Sequence, residues 1–189
     1  QHILSCDGIS KKIVAQSKAL KYNGMDIELA RFDRDESGRL IYKIGDRTVE
    51  TYGKGIEAKI KKRCRFGKLA KYISDNDIRF VYVRYVHFAN PFFVDLFRRL
   101  RKNGTVIFLE LPTYPYDSEY KNLSLRSLVP VYTERLCRRS LAQYADRIVT
   151  FSSHDRIWNR PTVRISNGAD MDEIPVRCAP PKNPAASNL

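Results

Sequence analysis

Apolar segments of strand type alternate with amphipathic helical segments along most of the chain, and this alternation constrains the fold more than any other feature. It is clearest between residues 80 and 111. Phe80–Val83 form an apolar run of the kind found in buried parallel strands. Asn90-Pro91 then combines a helix N-cap with proline at the first helical position. The residues that follow at helical spacing are apolar: Phe93, Leu96, Phe97 and Leu100. A second strand-like run, residues 105–111, predicts a layered α/β arrangement.

The remaining segments extend this pattern. They are a strand–turn–helix–strand unit over residues 3–32, a hairpin over 39–52, a basic helical stretch over 54–74, a helix from about Pro130 to Tyr144, and strands over 147–151 and 162–165. In the basic stretch, Ile56, Ile60 and Cys64 share a face that we expect to be buried, and the phase slips near Gly67. The sequence therefore predicts a doubly wound, mostly parallel α/β domain with a β-hairpin insertion.

The charge and the composition limit the classes of partner. The chain has 189 residues, 43% of them hydrophobic, and a formal net charge of +13. The apolar share is sufficient for a core, and the positive field attracts phosphates, polyanions or an anionic membrane face. The four cysteines form no CxxC motif. This predicts buried, reduced cysteines rather than a zinc site or a disulfide framework. We expect no transmembrane helix and no signal peptide.

Candidate binding residues cluster where the predicted strands end. Ligands of open parallel sheets bind at the carboxyl ends of the strands. Gly8 follows the first predicted strand, and Ser10 is a candidate N-cap of the next helix. Free N–H groups there would favour an anion or a sugar hydroxyl. The alternative is a tight structural turn without a ligand.

Arg84, His87 and Glu110 lie at the ends of the next two predicted strands. The arginine could bind a carboxylate or phosphate, and His87 is a candidate catalytic base. A carboxylate at Glu110, beside apolar residues, needs a partner or a function. The alternative is structural: Arg84 pairs with Glu110, and His87 caps the following helix.

Tyr114, Tyr116 and Asp117 lie in a loop rich in proline and tyrosine after the strand of residues 105–111. They could form a stacking and hydrogen-bonding wall for sugar rings, or the tyrosines could pack on the domain. No phosphate-binding, metal-binding or hydrolase motif accompanies them, and Ser-Ser-His at 152–154 does not by itself make a triad. We expect no metal site.

Three segments resemble glycosyltransferase family 4, whose members are retaining enzymes of the GT-B fold with two Rossmann-like domains. They are residues 3–29, residues 81–120, and ADRIVTFSS followed by PTVRISNGADMDEIPV. ISNGAD is similar to the end of the family's N-terminal domain. ELPTYPYDSEY resembles a subgroup of bacterial polysaccharide and capsule synthesis. The resemblance covers nearly the whole chain.

The resemblance implies that the chain is one half of a GT-B enzyme. Residues 1–176 would be the Rossmann-like acceptor-binding domain, and residues 177–189 a linker to an absent C-terminal domain. That domain would bind the nucleotide-sugar donor, so this domain needs no cofactor and the fragment alone would be inactive. Asn167, Gly168 and Asp170 would form the interdomain hinge. The alternative for Asn167-Gly168 is an ordinary turn.

The function implied is transfer of a sugar from a nucleotide-sugar to a glycan or lipid-linked acceptor in polysaccharide, capsule or lipopolysaccharide synthesis. We expect a cytoplasmic enzyme, peripheral at the inner face of the membrane. Its contact with anionic lipid would be made by Lys59, Lys62, Arg63 and Lys68. The structural alternative is that these cations lie on a solvent-exposed helix face without a partner. The alternative function is a basic α/β module that binds nucleic acid or another polyanion, although we expect no specific nucleic-acid partner.

Overall fold

A computed structural model describes residues 8–117 and 125–166, and it confirms the α/β fold class. The helices are α1 (Gly8–Tyr22), α2 (Gly55–Cys64), α3 (Gly67–Asp75), α4 (Pro91–Lys102) and α5 (Leu125–Gln143). The strands are β1 (Ala30–Arg34), β2 (Leu40–Ile44), β3 (Arg47–Gly53), β4 (Phe80–Arg84), β5 (Val106–Leu111), β6 (Arg147–Thr150), β7 (Arg156–Ile157) and β8 (Arg160–Arg164).

The larger sheet has the strand order β4-β5-β6-β8-β7. Strands β4, β5, β6 and β8 are parallel, and only β7 among these strands runs antiparallel, pairing with β8. This arrangement is compatible with a Rossmann-like fold. The carboxyl ends of the parallel strands therefore meet at one edge, as the alternating pattern predicted.

Helix α4 supplies much of the core beside this sheet. The Asn90 side chain accepts hydrogen bonds from the backbone N–H groups of Phe92 and Phe93, which confirms the predicted N-cap. The predicted apolar face is buried and packs on β5 and on α3 and α5: Phe93, Leu96, Phe97 and Leu100. The apolar spacing of this helix thus corresponds directly to its buried face.

The first predicted βαβ unit differs from the structure. Strand β1 pairs antiparallel with β2, and the hairpin β2–β3 completes a separate three-stranded sheet. β1 is therefore no member of the parallel sheet. Its Phe32 ring lies 4.7 Å from that of Tyr42, so the strand buries its apolar side against the hairpin. The predicted strand over residues 3–6 lies outside the described residues.

The basic helical stretch breaks before Gly67, as predicted. Its first half, however, buries a different face from the one that we expected. Ile56 and Ile60 are exposed, with relative accessibilities of 76% and 59%, whereas Ala58 is buried. The expectation that the two isoleucines are buried was wrong. Helix α2 packs on β3 through Ala58, and the Lys62 ammonium lies 4.0 Å from the centre of the Phe32 ring. This packing leaves the isoleucines on the outside.

Helix α5 starts earlier than predicted. It begins at Leu125, and Pro130 lies inside it rather than at its start. A proline near the first turn removes only one intrahelical hydrogen bond, and the residues before it are compatible with a helix. Within the described ranges, no helix combines the length and apolar character needed to cross a membrane.

Candidate functional site

Arg84 and Glu110 meet at the carboxyl ends of β4 and β5. The two residues are directly opposite in the strand register, and Arg84 Nη1 donates a hydrogen bond of 2.7 Å to Glu110 Oε1. Glu110 is 1% exposed and the Arg84 side chain 16%. The structural alternative for this pair is therefore observed: the glutamate holds the guanidinium at the edge of the sheet, where part of it reaches solvent.

Two buried oxygens lie beside this ion pair. Glu110 Oε2 and Tyr82 Oη make no hydrogen bond of good geometry with the described residues, although the Gln16 and Glu110 side chains lie close enough to Tyr82 to affect its pKa. Since side chains two apart on a strand share a face, Tyr82 and Arg84 lie on the same side of the sheet. Burial and the nearby Glu110 carboxylate raise the pKa of Tyr82, so its hydroxyl stays protonated and can donate. Buried polar atoms are rarely left unsatisfied in this way.

Helix α1 brings a second cation to the same edge. Lys12 Nζ lies 3.9 Å from the centre of the Phe151 ring, just beyond β6. Partial burial and the Arg84 charge lower the pKa of Lys12, while Glu110 acts in the opposite direction. Arg84 and Lys12 therefore bring two positive charges to the same edge as the Glu110 carboxylate.

The predicted residues at the start of α1 occupy the first helical turn. The helix begins at Gly8, so Ser10 lies within it rather than at the N-cap position that we expected. The Ser10 side chain is buried.

His87 lies just beyond β4 in a strained backbone conformation. Its φ is +54°, in the left-handed region, which is uncommon for residues other than glycine, although histidine adopts it more often than most. The imidazole stacks on the Tyr116 ring, with 3.9 Å between centroids and 11° between planes. It does not cap α4, because Asn90 does. The structure therefore places His87 on a buried aromatic support beside the edge.

Tyr116 is almost completely buried, and its hydroxyl is committed to Glu134. Tyr116 and Tyr85 both donate 2.6 Å hydrogen bonds to Glu134 Oε1. Burial raises the pKa of both tyrosines, and the Glu134 carboxylate acts in the same direction. Tyr116 thus supports the His87 ring from inside the domain and does not line an open wall.

Sequence reasoning missed Glu134 and its neighbour Arg138. The two lie one turn apart on α5, and Arg138 Nη1 is 3.9 Å from Glu134 Oε2. Glu134 is buried, although it belongs to a polar stretch of sequence. The available signal was positional: Glu134 shares a helical face with Leu141, which is also buried.

Asp117 lies on the outer side of the same network. It accepts hydrogen bonds of 2.9 and 3.3 Å from Arg138 and forms an ion pair of 3.4 Å with Arg135. The hydrogen bonds from Arg138 lower the pKa of Asp117, although burial opposes them. The side chain serves to hold the loop after β5 against α5.

The lowered pKa of Asp117 predicts a pH dependence of stability. A depressed carboxyl pKa stabilises the folded state above the unfolded pKa, near 4, and that contribution disappears as the pH falls through the folded pKa. We expect Asp117→Asn to lower the free energy of unfolding at pH 7 and to match the wild type near pH 2. Urea unfolding over this pH range measures the difference in the free energy of unfolding between the two proteins. Asp46→Asn, in the exposed hairpin turn, is the charge-matched control, and an equal effect there would contradict the prediction.

Tyr114 faces two other aromatic side chains. Its ring meets His154 edge-on at 5.1 Å and Trp158 edge-on at 6.3 Å. The His154 ring in turn contacts the Ser152 hydroxyl through Nδ1. Tyr114 is half-buried, so it can offer part of its ring to a ligand.

The structure therefore divides the predicted site residues into groups. Arg84 and Glu110 form a pair at the edge, His87 and Tyr116 form a stack beneath it, and Tyr114 and Asp117 lie farther along the loop. The predicted hinge residues lie outside the described residues: Asn167, Gly168 and Asp170. Among the residues that are described, no cluster of His, Cys, Asp or Glu could hold a metal ion.

Comparison with known proteins adds no family to this description. The chain matches no family model, no curated protein and no solved structure. The function proposed below is therefore supported by the sequence motifs and by the geometry of the sheet edge.

Proposed function

We propose that this chain is the acceptor-binding half of a retaining glycosyltransferase, which transfers a sugar from a nucleotide-sugar to a glycan or lipid-linked acceptor. The observation that carries the proposal is the Arg84–Glu110 pair at the carboxyl edge of the sheet. The pair lies where ligands of open α/β sheets bind. It also combines a partly exposed guanidinium with a carboxylate oxygen that retains accepting capacity.

The edge suits the recognition of sugar hydroxyls and of anionic groups on an acceptor. Glu110 accepts a hydrogen bond from Arg84 Nη1, and the guanidinium has further N–H groups that can donate to a ligand. Lys12 adds a second cation from α1. Tyr114 offers a partly exposed ring beyond the strands. These groups bind and orient an acceptor; they form no obvious nucleophile and base pair.

The chemistry of transfer would be completed by a second domain. The donor nucleotide-sugar would bind there, and the departing diphosphate oxygen could accept the proton of the acceptor hydroxyl. Under this scheme the edge needs no strong base of its own. His87, stacked on Tyr116, would orient the loop that follows β4 rather than remove a proton.

Acceptor binding tests the proposal on the chain itself. Screening on an array of oligosaccharides should identify glycans that bind, whereas nucleotide-sugars should neither bind nor be turned over. Arg84→Lys keeps the charge but loses the planar donor fork, so the dissociation constant should rise about tenfold. Arg79→Lys is the matched control, because Arg79 is an exposed arginine with its own ion-pair partner, Asp77.

Three outcomes would contradict the proposal. One is sugar transfer catalysed by the 189-residue chain alone. Another is the absence of glycan binding by a folded chain. The third is salt-dependent binding of unrelated oligonucleotides at low micromolar concentration, which would favour the polyanion-binding alternative.

The same proposal places helix α2 against an anionic membrane face. Ile56, Lys59, Ile60 and Arg63 share one face of the helix by their spacing, and all four are exposed. Exposed apolar side chains between cations are typical of helices that lie in a membrane interface. The other two predicted cations have partners within the domain, although Lys68 is itself exposed. Lys68 pairs with Glu50 at 3.0 Å, and Lys62 packs on Phe32.

Vesicle binding should depend on the outward cations of α2. Replacing Lys59 and Arg63 with glutamine should weaken binding to phosphatidylglycerol vesicles by about 2 kcal/mol, since each cation contributes about 1 kcal/mol at an anionic surface. Lys18→Gln with Lys21→Gln removes the same charge from α1 and is the control. Co-sedimentation measures both. Equal binding to pure phosphatidylcholine vesicles, or an equal loss in the control, would contradict the prediction.

A further inference from the structure

A cleft of about 440 Å³ opens between α5 and the turn that joins β7 to β8. Its lining consists of two aromatic, two cationic and two amide side chains: Tyr114, Trp158, Arg139, Arg160, Gln143 and Asn159. The cleft shares Tyr114 with the acceptor-binding edge described above, whereas none of Lys12, Arg84 and Glu110 lines it. Its volume is in the range of small-molecule sites. We infer that this cleft binds an acidic oligosaccharide.

The two aromatic rings form a corner in the cleft. Tyr114 and Trp158 have centroids 6.3 Å apart and planes at 86° to each other. Both are half-buried, so each ring is held by the domain while part of it stays accessible. The C–H faces of a pyranose are apolar and pack well on aromatic rings, whereas its hydroxyls point sideways toward polar groups. Gln143 and Asn159 are exposed amides that can donate to and accept from such hydroxyls.

The positive charge of the cleft favours an acidic ligand. No acidic residue is among its described lining residues. The Arg139 guanidinium has no ion-pair or hydrogen-bond partner among the described residues. Arg160 donates from Nε and Nη2 to the Ala145 carbonyl, and this uses only two of its five N–H groups. A planar guanidinium binds a carboxylate through two parallel hydrogen bonds, so these arginines favour a sugar acid over a neutral sugar.

The turn that carries the tryptophan is strained. Trp158 and Asn159 have φ values of +46° and +64°, as the two central residues of a type I′ turn require. Asparagine tolerates this conformation, but a bulky tryptophan does so only at a cost. The Trp158 ring is held by edge contact with Tyr85 at 5.8 Å and by the Arg138 guanidinium at 5.6 Å. Strain of this kind is concentrated at ligand sites.

The assignment of a saccharide as the ligand rests on the proposed function. The cleft adds a second acceptor-binding site to that function. Because the cleft lies away from Arg84, it would hold a part of the acceptor chain that is distant from the reacting end. Long acidic acceptors would then bind more tightly than short ones, since two sites are engaged at once. Such a site sets the preference for acceptor length without taking part in sugar transfer.

Trp158 is the only tryptophan of the chain, so its fluorescence reports on this cleft. Titration with a tetrasaccharide of galacturonic acid should change the emission and saturate, whereas the carboxyl-reduced tetrasaccharide should bind at least about tenfold more weakly. Arg139→Gln should raise the dissociation constant about tenfold. Arg98→Gln, an equal loss of charge on α4, should change it less than about twofold. Arg139 and Arg98 are both exposed, so neither replacement disturbs packing.

Several results would overturn the inference. They are the absence of a saturable change in a folded chain, equal binding of the reduced tetrasaccharide, and equal weakening by Arg139→Gln and Arg98→Gln. Tighter binding of a nucleotide such as ADP would also overturn it. Arg84→Lys separates this inference from the proposed function: it should weaken glycan binding at the sheet edge and leave the Trp158 titration unchanged. Failure of one site therefore does not imply failure of the other.

Discussion

Replacing Glu134 with leucine is expected to lower the free energy of unfolding by about 3 to 5 kcal/mol. The carboxylate accepts 2.6 Å hydrogen bonds from Tyr85 and Tyr116 and is buried. A leucine would leave both buried hydroxyls without this acceptor, and it would remove the carboxylate that faces Arg138. For a chain of this length the melting temperature should fall by about 10 °C.

A double-mutant cycle separates the network from simple loss of packing. In a background with Tyr85→Phe and Tyr116→Phe, no hydroxyl is left unsatisfied, so Glu134→Leu should cost much less there. Glu57→Leu is the surface control: Glu57 is exposed and pairs with Lys61 within one helical turn, so its loss should change the free energy of unfolding little. Urea unfolding followed by circular dichroism gives each value. Equal costs of Glu134→Leu in the two backgrounds would contradict the network.

Replacing Arg84 with methionine is expected to destabilise the domain by about 3 to 5 kcal/mol, because it leaves the Glu110 carboxylate buried and unpaired. Methionine fills much of the volume of the arginine stem, so lost packing contributes little. The effect comes from the charge that remains. Glu110 is only 1% exposed, and among the described residues Arg84 is the one residue that forms an ion pair with its side chain.

The double variant Arg84→Met with Glu110→Leu should recover most of this loss, since apolar replacement of a complete buried ion pair is often neutral or stabilising. It should be folded and yet fail to bind the glycans that the wild-type chain binds. This combination distinguishes a pair kept for binding from one kept for stability. A stable double variant with unchanged glycan binding would contradict the proposed role of the edge.

Much of the parallel sheet could be predicted because its signals are local. The apolar run of β4, the Asn90-Pro91 cap and the buried face of α4 each depend on residues within one or two turns of chain. The ion pair of Arg84 with Glu110 was among the predicted alternatives for a similar reason. Both residues end consecutive parallel strands, so their register could be inferred without knowledge of the rest of the fold.

The features that sequence reasoning missed all depend on contacts between distant segments. The sequence around Glu134 does not distinguish it from an exposed helical glutamate. Its burial results from the packing of α5 against the loops that hold Tyr85 and Tyr116. The apolar spacing around Ile56 predicts a core residue, but Ile56 is exposed because α2 packs on β3 through Ala58. β1 looks like a parallel strand until its apolar side meets the hairpin.

The amino-acid sequence by itself determined the α/β class, the positions of most helices and strands, and the concentration of polar residues where the strands end. Hydrophobic periodicity and capping residues carry that information, since they act over one turn or one strand. Only the tertiary structure decided which groups share a site. It selected the Arg84–Glu110 pair from the alternatives that the sequence left open, buried Tyr116 on Glu134, and formed the cleft beside Trp158. These contacts depend on strand register and helix docking, which arise from the packing of the whole domain.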